Sequence, residues 1–324
     1  MQKICVNMEY LILILSLAGI VLGADFLVKG AVVVARKCRV SSFVIGAVIV
    51  GIGTSLPELV VSTVGAIGGN SEVAIGNVVG SNIFNVFAIL GLTALFFPIA
   101  VSRENMKFEI PFCIAVSVLL MLLVYNFFVV GEPRLGRWDG AALLLVFTSF
   151  MWISLRRGKN SAAAVGESVE EENKSLWFAA FSILGGLAAL IVSSNFFVDE
   201  AVAIARKLGV SDAFISITLL ACGTSLPELA ASVTAAVKKD TDMALGNIIG
   251  SNIFNATMIL GTASLITPLT TGKIGLVDYG AMILAAVLPM IFGIRGKITR
   301  FEGLLMLLCY AAYTWYIVTY VMAV

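Results

Sequence analysis

The sequence matches itself when shifted by 170 positions. GTSLPEL at 53–59 recurs letter for letter at 223–229, GNVVGSNIFN at 76–85 returns as GNIIGSNIFN at 246–255, and VARKCRVS at 34–41 meets IARKLGVS at 204–211. The glycines that open the two motifs are 23 residues apart in both copies (76 − 53 and 246 − 223). The chain is a duplication, and both halves must build the same set of elements.

Hydropathy says what those elements are. Of 324 residues 60% are hydrophobic and 13% charged, with a mean hydropathy of +1.03, far outside the usage of soluble domains. Crossing about 30 Å of hydrocarbon takes about twenty apolar residues in a helix. Such runs at 10–28, 42–67, 73–97, 109–130, 139–155, 176–198, 213–236, 243–268, 275–294 and 302–323 predict ten spans. The expected fold is an all-α integral membrane protein of ten transmembrane helices, with a first five-helix repeat at 1–155, a cytoplasmic linker at 156–174 and a second repeat at 175–324. Five is odd, so the second repeat enters from the opposite face of the membrane. The repeats are expected to have inverted topology, which is characteristic of secondary transporters with a substrate site near the midplane at the repeat interface. The first run follows Lys3 and ends near Gly23 and Ala24, as a secretory signal would, but the repeat requires it as a helix.

Lysines and arginines set the expected orientation. The connections after the odd-numbered spans hold 15 of the 21, and the opposite side holds 6. By the positive-inside rule both termini face outward, in a cell membrane. The linker RRGKNSAAAVGESVEEENK is polar and rich in small residues.

The residue inventory removes several function classes. There is no histidine, so imidazole metal ligation, imidazole proton relays and Ser-His or Cys-His nucleophilic chemistry are out. No glycine loop with its lysine binds nucleotide phosphates, which argues against an ATP-driven pump, and no enzyme activity is expected. The five cysteines form no C-x-x-C pair, so they read as small buried hydrophobes. Neither a cofactor, a nucleic acid nor an obligatory protein partner is implied.

GTSLPEL carries the chemistry. Pro57 and Pro227 supply no N–H, which frees the carbonyls of Gly53 and Gly223 and breaks each helix. In lipid such a carbonyl is tolerated only where it is buried in protein or lines a cavity. Glu58 and Glu228 follow the breaks, and where the helix continues Thr54 and Ser55, or Thr224 and Ser225, lie near the same face. A mid-span glutamate costs about 2–3 kcal/mol even on the lenient insertion scale. No lysine or arginine sits within these spans, so the counter-charge has to come from cations; the bland alternative is a pair of protonated packing residues.

The second motif places Asn77, Ser81 and Asn85 at i, i+4, i+8, and Asn247, Ser251 and Asn255 repeat them. Their oxygens are hard neutral ligands of the kind calcium accepts. They could equally be hydrogen-bond glue between helices, with Gly76 and Gly80 permitting close approach. Asp25, Asp199 and Glu200 read as solvated span boundaries, and Arg36–Lys37 and Arg206–Lys207 as helix ends. Two glutamates with carbonyls and hydroxyls make an all-oxygen cage of charge −2 that one calcium or two sodium ions could neutralise. Exclusive occupancy then gives antiport.

These paired motifs resemble those of the calcium/cation antiporter superfamily, most closely its prokaryotic sodium/calcium exchanger branch, over essentially the whole chain. The resemblance implies a central calcium site of Glu58 and Glu228 with the backbone carbonyls of Thr54 and Thr224. It implies flanking sodium sites of Ser55, Ser225, Ser81 and Ser251 with the carbonyls of Gly51 and Ala221, and a gating pair formed by spans 1 and 6. Asn255 departs from relatives that carry aspartate there, and Asn85 mirrors it; potassium dependence is therefore not expected. The partners expected are Ca2+, Na+ and the bilayer, and the activity is sodium-driven calcium export by alternating access. The rivals are a proton-coupled or broader divalent cation exchanger and, from another class, a cation channel.

Overall fold

The computed structural model describes residues 2–125, 132–160, 174–209 and 221–321. It is helical apart from four two-residue strands. Helix α1 spans Gln2–Cys38, α2 Ser42–Thr54 and α3 Leu56–Ile67, with a bend of 47° between the last two. Then come α4 (Ser71–Phe96), α5 (Asn105–Tyr125), α6 (Arg137–Asn160), α7 (Leu176–Lys207) and α8 (Leu226–Val237). The last three are α9 (Thr241–Ile266), α10 (Leu276–Gly293) and α11 (Arg300–Thr319). Among the described residues, eight helices are long and apolar enough to cross a membrane, and the bent α2–α3 pair is a ninth. Of the seventh expected span, 213–236, the part before Ala221 lies outside the described residues.

The duplication is visible in the elements themselves. Adding 170 to the bounds of α3 and α4 gives those of α8 and α9. Asn70 caps α4 by accepting from Val73 N, and Asp240 caps α9 by accepting from Met243 N. Gly69 and Lys239, the residues before these caps, both take left-handed backbone, at φ 75° and 65°. Glycine adopts that conformation at little cost, whereas Lys239 does so against its Cβ.

Two spans are longer than expected. The runs 10–28 and 176–198 extend as helix to Cys38 and Lys207 because no breaker intervenes before Arg39 (φ 50°) and Gly209 (φ 80°). Arg36–Lys37 and Arg206–Lys207 occupy the last turns as expected, where they complement the helix dipole. Asp25 keeps 31% of its side chain exposed. It lies inside α1 and pairs with Lys29 and Lys238, each at 2.6 Å. Asp199 and Glu200 likewise lie within α7, and α6 continues five residues into the expected linker, to Asn160. Helices α1 and α7 pack backbone to backbone: a Cβ on Gly23 would meet Gly186 O and Leu190 N, each at 2.9 Å.

The connections meet in an ordered way. Strand β1 (Ile99–Ala100), after α4, pairs with β4 (Lys297–Ile298), after α10, while β2 (Arg134–Leu135), after α5, pairs with β3 (Leu269–Thr270), after α9. Arg36 in the last turn of α1, Ser42 at the start of α2, Arg103 after α4, Arg157 near the end of α6, Lys238 after α8 and Asp242 at the start of α9 line one cavity of about 930 Å³. Helices α4 and α9 are the most enclosed spans.

Candidate functional site: two facing acids at broken helices

Each copy of GTSLPEL breaks its helix at the serine. Ser55 (φ −84°, ψ 10°) and Ser225 (φ −94°, ψ 9°) precede α3 and α8, and each proline sits in the first turn, where its missing N–H costs nothing. Glu58 and Glu228 therefore lie in the first turn of a helix, whose dipole favours a negative charge. Before the first break, Gly46–Gly51 winds as a π-helix, a form common at functional sites.

Both glutamates are fully buried, as are Thr54, Ser55, Ser81, Asn85, Ser225, Ser251 and Asn255. The hydroxyls cross between the halves. Ser55 Oγ donates to Glu228 Oε1 at 2.8 Å and Ser225 Oγ donates to Glu58 Oε1 at 2.9 Å. Ser81 Oγ lies 3.5 Å from the same Glu58 oxygen and 3.3 Å from Ser225 Oγ. The remaining oxygens, Glu58 Oε2 and Glu228 Oε2, have no hydrogen-bond partner among the described residues. A buried carboxylate oxygen without a donor loses its hydration for nothing in return.

Ser55 would share a face with its own Glu58 only where the helix continues. The break at Ser55 turns the hydroxyl out of the helical face, and it reaches the acid of the other half instead. Thr54 Oγ1 donates to Val50 O at 3.0 Å and lies 3.3 Å from Asn247 Oδ1. Ser251 Oγ donates to Gly51 O at 3.2 Å, which brings together two residues of the set implied for sodium. Thr224 is half-buried at the turn before α8; Ala221 opens the short helical turn Ala221–Gly223, and its side chain lies outside the description.

For Asn77 and Asn247 the structure favours glue. Asn77 Nδ2 donates to Glu58 O and Ser62 Oγ, and Asn247 Nδ2 to Glu228 O and Ser232 Oγ, at 2.8–3.3 Å. Their amides brace the turns that carry the acids. Gly246 and Gly250 do permit close approach, since a Cβ there would run into the backbone of Phe43 or Ala47. In the first copy a Cβ on Gly76 would touch only the Ile274 side chain, and nothing described lies within 4 Å of one on Gly80.

Sequence reasoning missed Ser62, Ser232, Asn82 and Asn252. All four are buried and duplicated at the repeat spacing. Exact recurrence of a polar residue in an apolar span was the signal that could have found them.

A helical membrane protein that buries two facing acids, braced by hydroxyls and amides, is a cation transporter rather than an enzyme. The chain belongs to the sodium/calcium exchanger protein family, which it matches over residues 8–156 and 178–319. It is 35% identical to the sodium/calcium exchanger MaX1 of Methanosarcina acetivorans, covering 95% of this chain and 98% of that one. It is 37% identical to the putative antiporter CaxA of Alkalimonas amylolytica, covering 93% and 96%. Its fold matches that of the sodium-calcium exchanger NCX_Mj with a TM-score of 0.82 and 32% identity over 97% of this chain and 99% of that one. The protein is an integral membrane cation/Ca2+ antiporter of a family that transports Na+ and Ca2+.

Proposed function

We propose that this protein uses the inward sodium gradient to export calcium, by alternating access to a single set of oxygen ligands. The observation that carries the reading is the pair Glu58 and Glu228: each is buried with one oxygen held by a serine of the opposite half and the other without a donor. Ca2+ is bound by Glu58 and Glu228 with the Thr54 and Thr224 carbonyls. Na+ is bound by Ser55, Ser225, Ser81 and Ser251 with the Gly51 and Ala221 carbonyls, and Asn85 and Asn255 add amide oxygens. Either one calcium or two sodium ions balance the charge of two carboxylates, so the two cargoes exclude one another. That exclusion makes the movement an exchange.

The chain is organised as two inverted five-helix repeats joined through the linker at 156–174. The pairing of β1 with β4 and of β2 with β3 supports this, since each ribbon joins connections that inversion puts on one face. The cavity lined from the C-terminal ends of α1 and α6 and from the connections after α4 and α8 supports it too. With the basic connections inside, both termini face outward from the cell membrane.

The test is radioactive calcium uptake into sodium-loaded proteoliposomes diluted into sodium-free buffer or into buffer with equal sodium. Uptake is expected only with the outward sodium gradient. Uptake that ignores sodium but follows an imposed pH gradient would replace sodium by protons as the coupling ion, and uptake indifferent to both would mark a channel.

A further inference from the structure

Four asparagines from the two GSNIFN motifs meet between α4 and α9. Asn82 and Asn252 are buried as deeply as Asn85 and Asn255. Asn82 Nδ2 donates to Asn252 O and Asn252 Nδ2 donates to Asn82 O, each at 3.1 Å. Asn85 Nδ2 donates to Asn252 Oδ1 and Asn255 Nδ2 donates to Asn82 Oδ1, again at 3.1 Å. The Oδ1 atoms of Asn85 and Asn255 have no hydrogen-bond partner among the described residues.

The direction of these bonds is forced. A backbone carbonyl only accepts, so Asn82 must turn its Nδ2 towards Asn252 O, which leaves its Oδ1 facing Asn255. Asn255 must answer with Nδ2, and its own oxygen is turned away. The same chain runs from Asn82 O through Asn252 to Asn85. Each receiving asparagine opens a π-helical stretch, Asn85–Leu90 or Asn255–Ile259. The first packs against α8, which carries Glu228, and the second against α3, which carries Glu58.

We propose that Asn82 and Asn252 are positioning residues for the cation site, each clamping the amide of an asparagine in the opposite half so that Asn85 and Asn255 present oxygen alone. This rests on the cation site proposed above. It also makes the site selective for neutral amides at 85 and 255: a carboxylate at either position would set an oxygen 3.1 Å from the Oδ1 of its clamp, acceptor against acceptor. The charge of the site is thereby held to its two glutamates.

The experiment is a mutant cycle on the purified full chain, read as the Ca2+ concentration that half-saturates thermal stabilisation, with sodium as competitor. Asn82→Ala and Asn255→Ala should each raise that midpoint about tenfold, the lower end of what orienting partners of metal ligands contribute. The double variant should match Asn255→Ala alone, because Asn82 acts through Asn255. Effects that multiply, to about a hundredfold for two independent sites, would overturn the proposal, as would an unchanged midpoint in Asn82→Ala. A purely structural role would lower the melting temperature of the calcium-free protein without moving the midpoint. Should Asn82→Ala not fold, the mirror cycle of Asn252→Ala and Asn85→Ala is read the same way. A wild-type protein that calcium does not stabilise would remove the cation site and this inference together. Calcium binding with the expected cycle but no exchange in proteoliposomes would remove only the transport reading.

Discussion

Ser55 Oγ donates 2.8 Å to Glu228 Oε1 across 173 residues of sequence, and Ser225 Oγ returns the contact to Glu58 at 2.9 Å. Each acid is thus held by the helix break of the other half. Neither half can assemble a complete site alone.

Replacing Glu58 or Glu228 by glutamine keeps the volume and the contact with serine but removes a charge. Each variant is expected to abolish sodium-dependent calcium uptake while eluting from size exclusion as the wild type does. Wild-type exchange by either one would refute the assignment of the acids.

Ser55→Ala and Ser225→Ala each remove the shortest hydroxyl contact to a buried carboxylate oxygen. Leaving such a group unpaired costs about 1–3 kcal/mol. Melting temperature in calcium-free buffer should fall in both variants, and sodium should compete less well against calcium uptake. A variant that loses neither would show that the serine contact contributes little.

Asn247 braces the Glu228 turn through its carbonyl and Ser232. Asn247→Leu should destabilise the protein by about 1–3 kcal/mol, again by orphaning buried acceptors. Differential scanning fluorimetry against wild type measures it.

Gly250 sits where a Cβ would come within 2.4 Å of Ala47 Cα. Gly250→Leu must push α2 away from α9, which costs about 1–3 kcal/mol for an overpacked contact. The expected readout is a lower yield of monodisperse protein with the residual exchange reduced; normal yield and exchange would mean that the two helices can separate freely.

Asp25 pairs with Lys29 and Lys238 while remaining 31% exposed at its side chain. An ion pair this open to solvent contributes about 1 kcal/mol or less. Asp25→Asn should therefore shift the melting temperature only slightly, and the shift should shrink in high salt.

Much of the molecule is legible from periodicity and recurrence. The bounds of α3, α4, α8 and α9, the helix breaks before Pro57 and Pro227, and the burial of both glutamates all follow from local rules: a missing N–H, a twenty-residue apolar run, an acid with no neighbouring base. The ends of α1 and α7 were misread because hydropathy falls at Asp25 and Asp199 while the helical backbone does not. A helix stops where hydrogen bonds or φ fail, here at Arg39 and Gly209, and polarity alone does not stop it.

The sequence by itself determined the duplication, the apolar helical character of the chain, the two broken helices and the charge placed in each. The tertiary structure alone decided which hydroxyl serves which acid and which way each amide turns. Ser55 lies three residues from Glu58 yet bonds Glu228, and Asn82 orients Asn255 from the other half. Spacing along a helix constrains only neighbours on one face. Contacts across the junction of two packed halves depend on the angle and depth at which their backbones meet, and glycines at 246 and 250 set that approach.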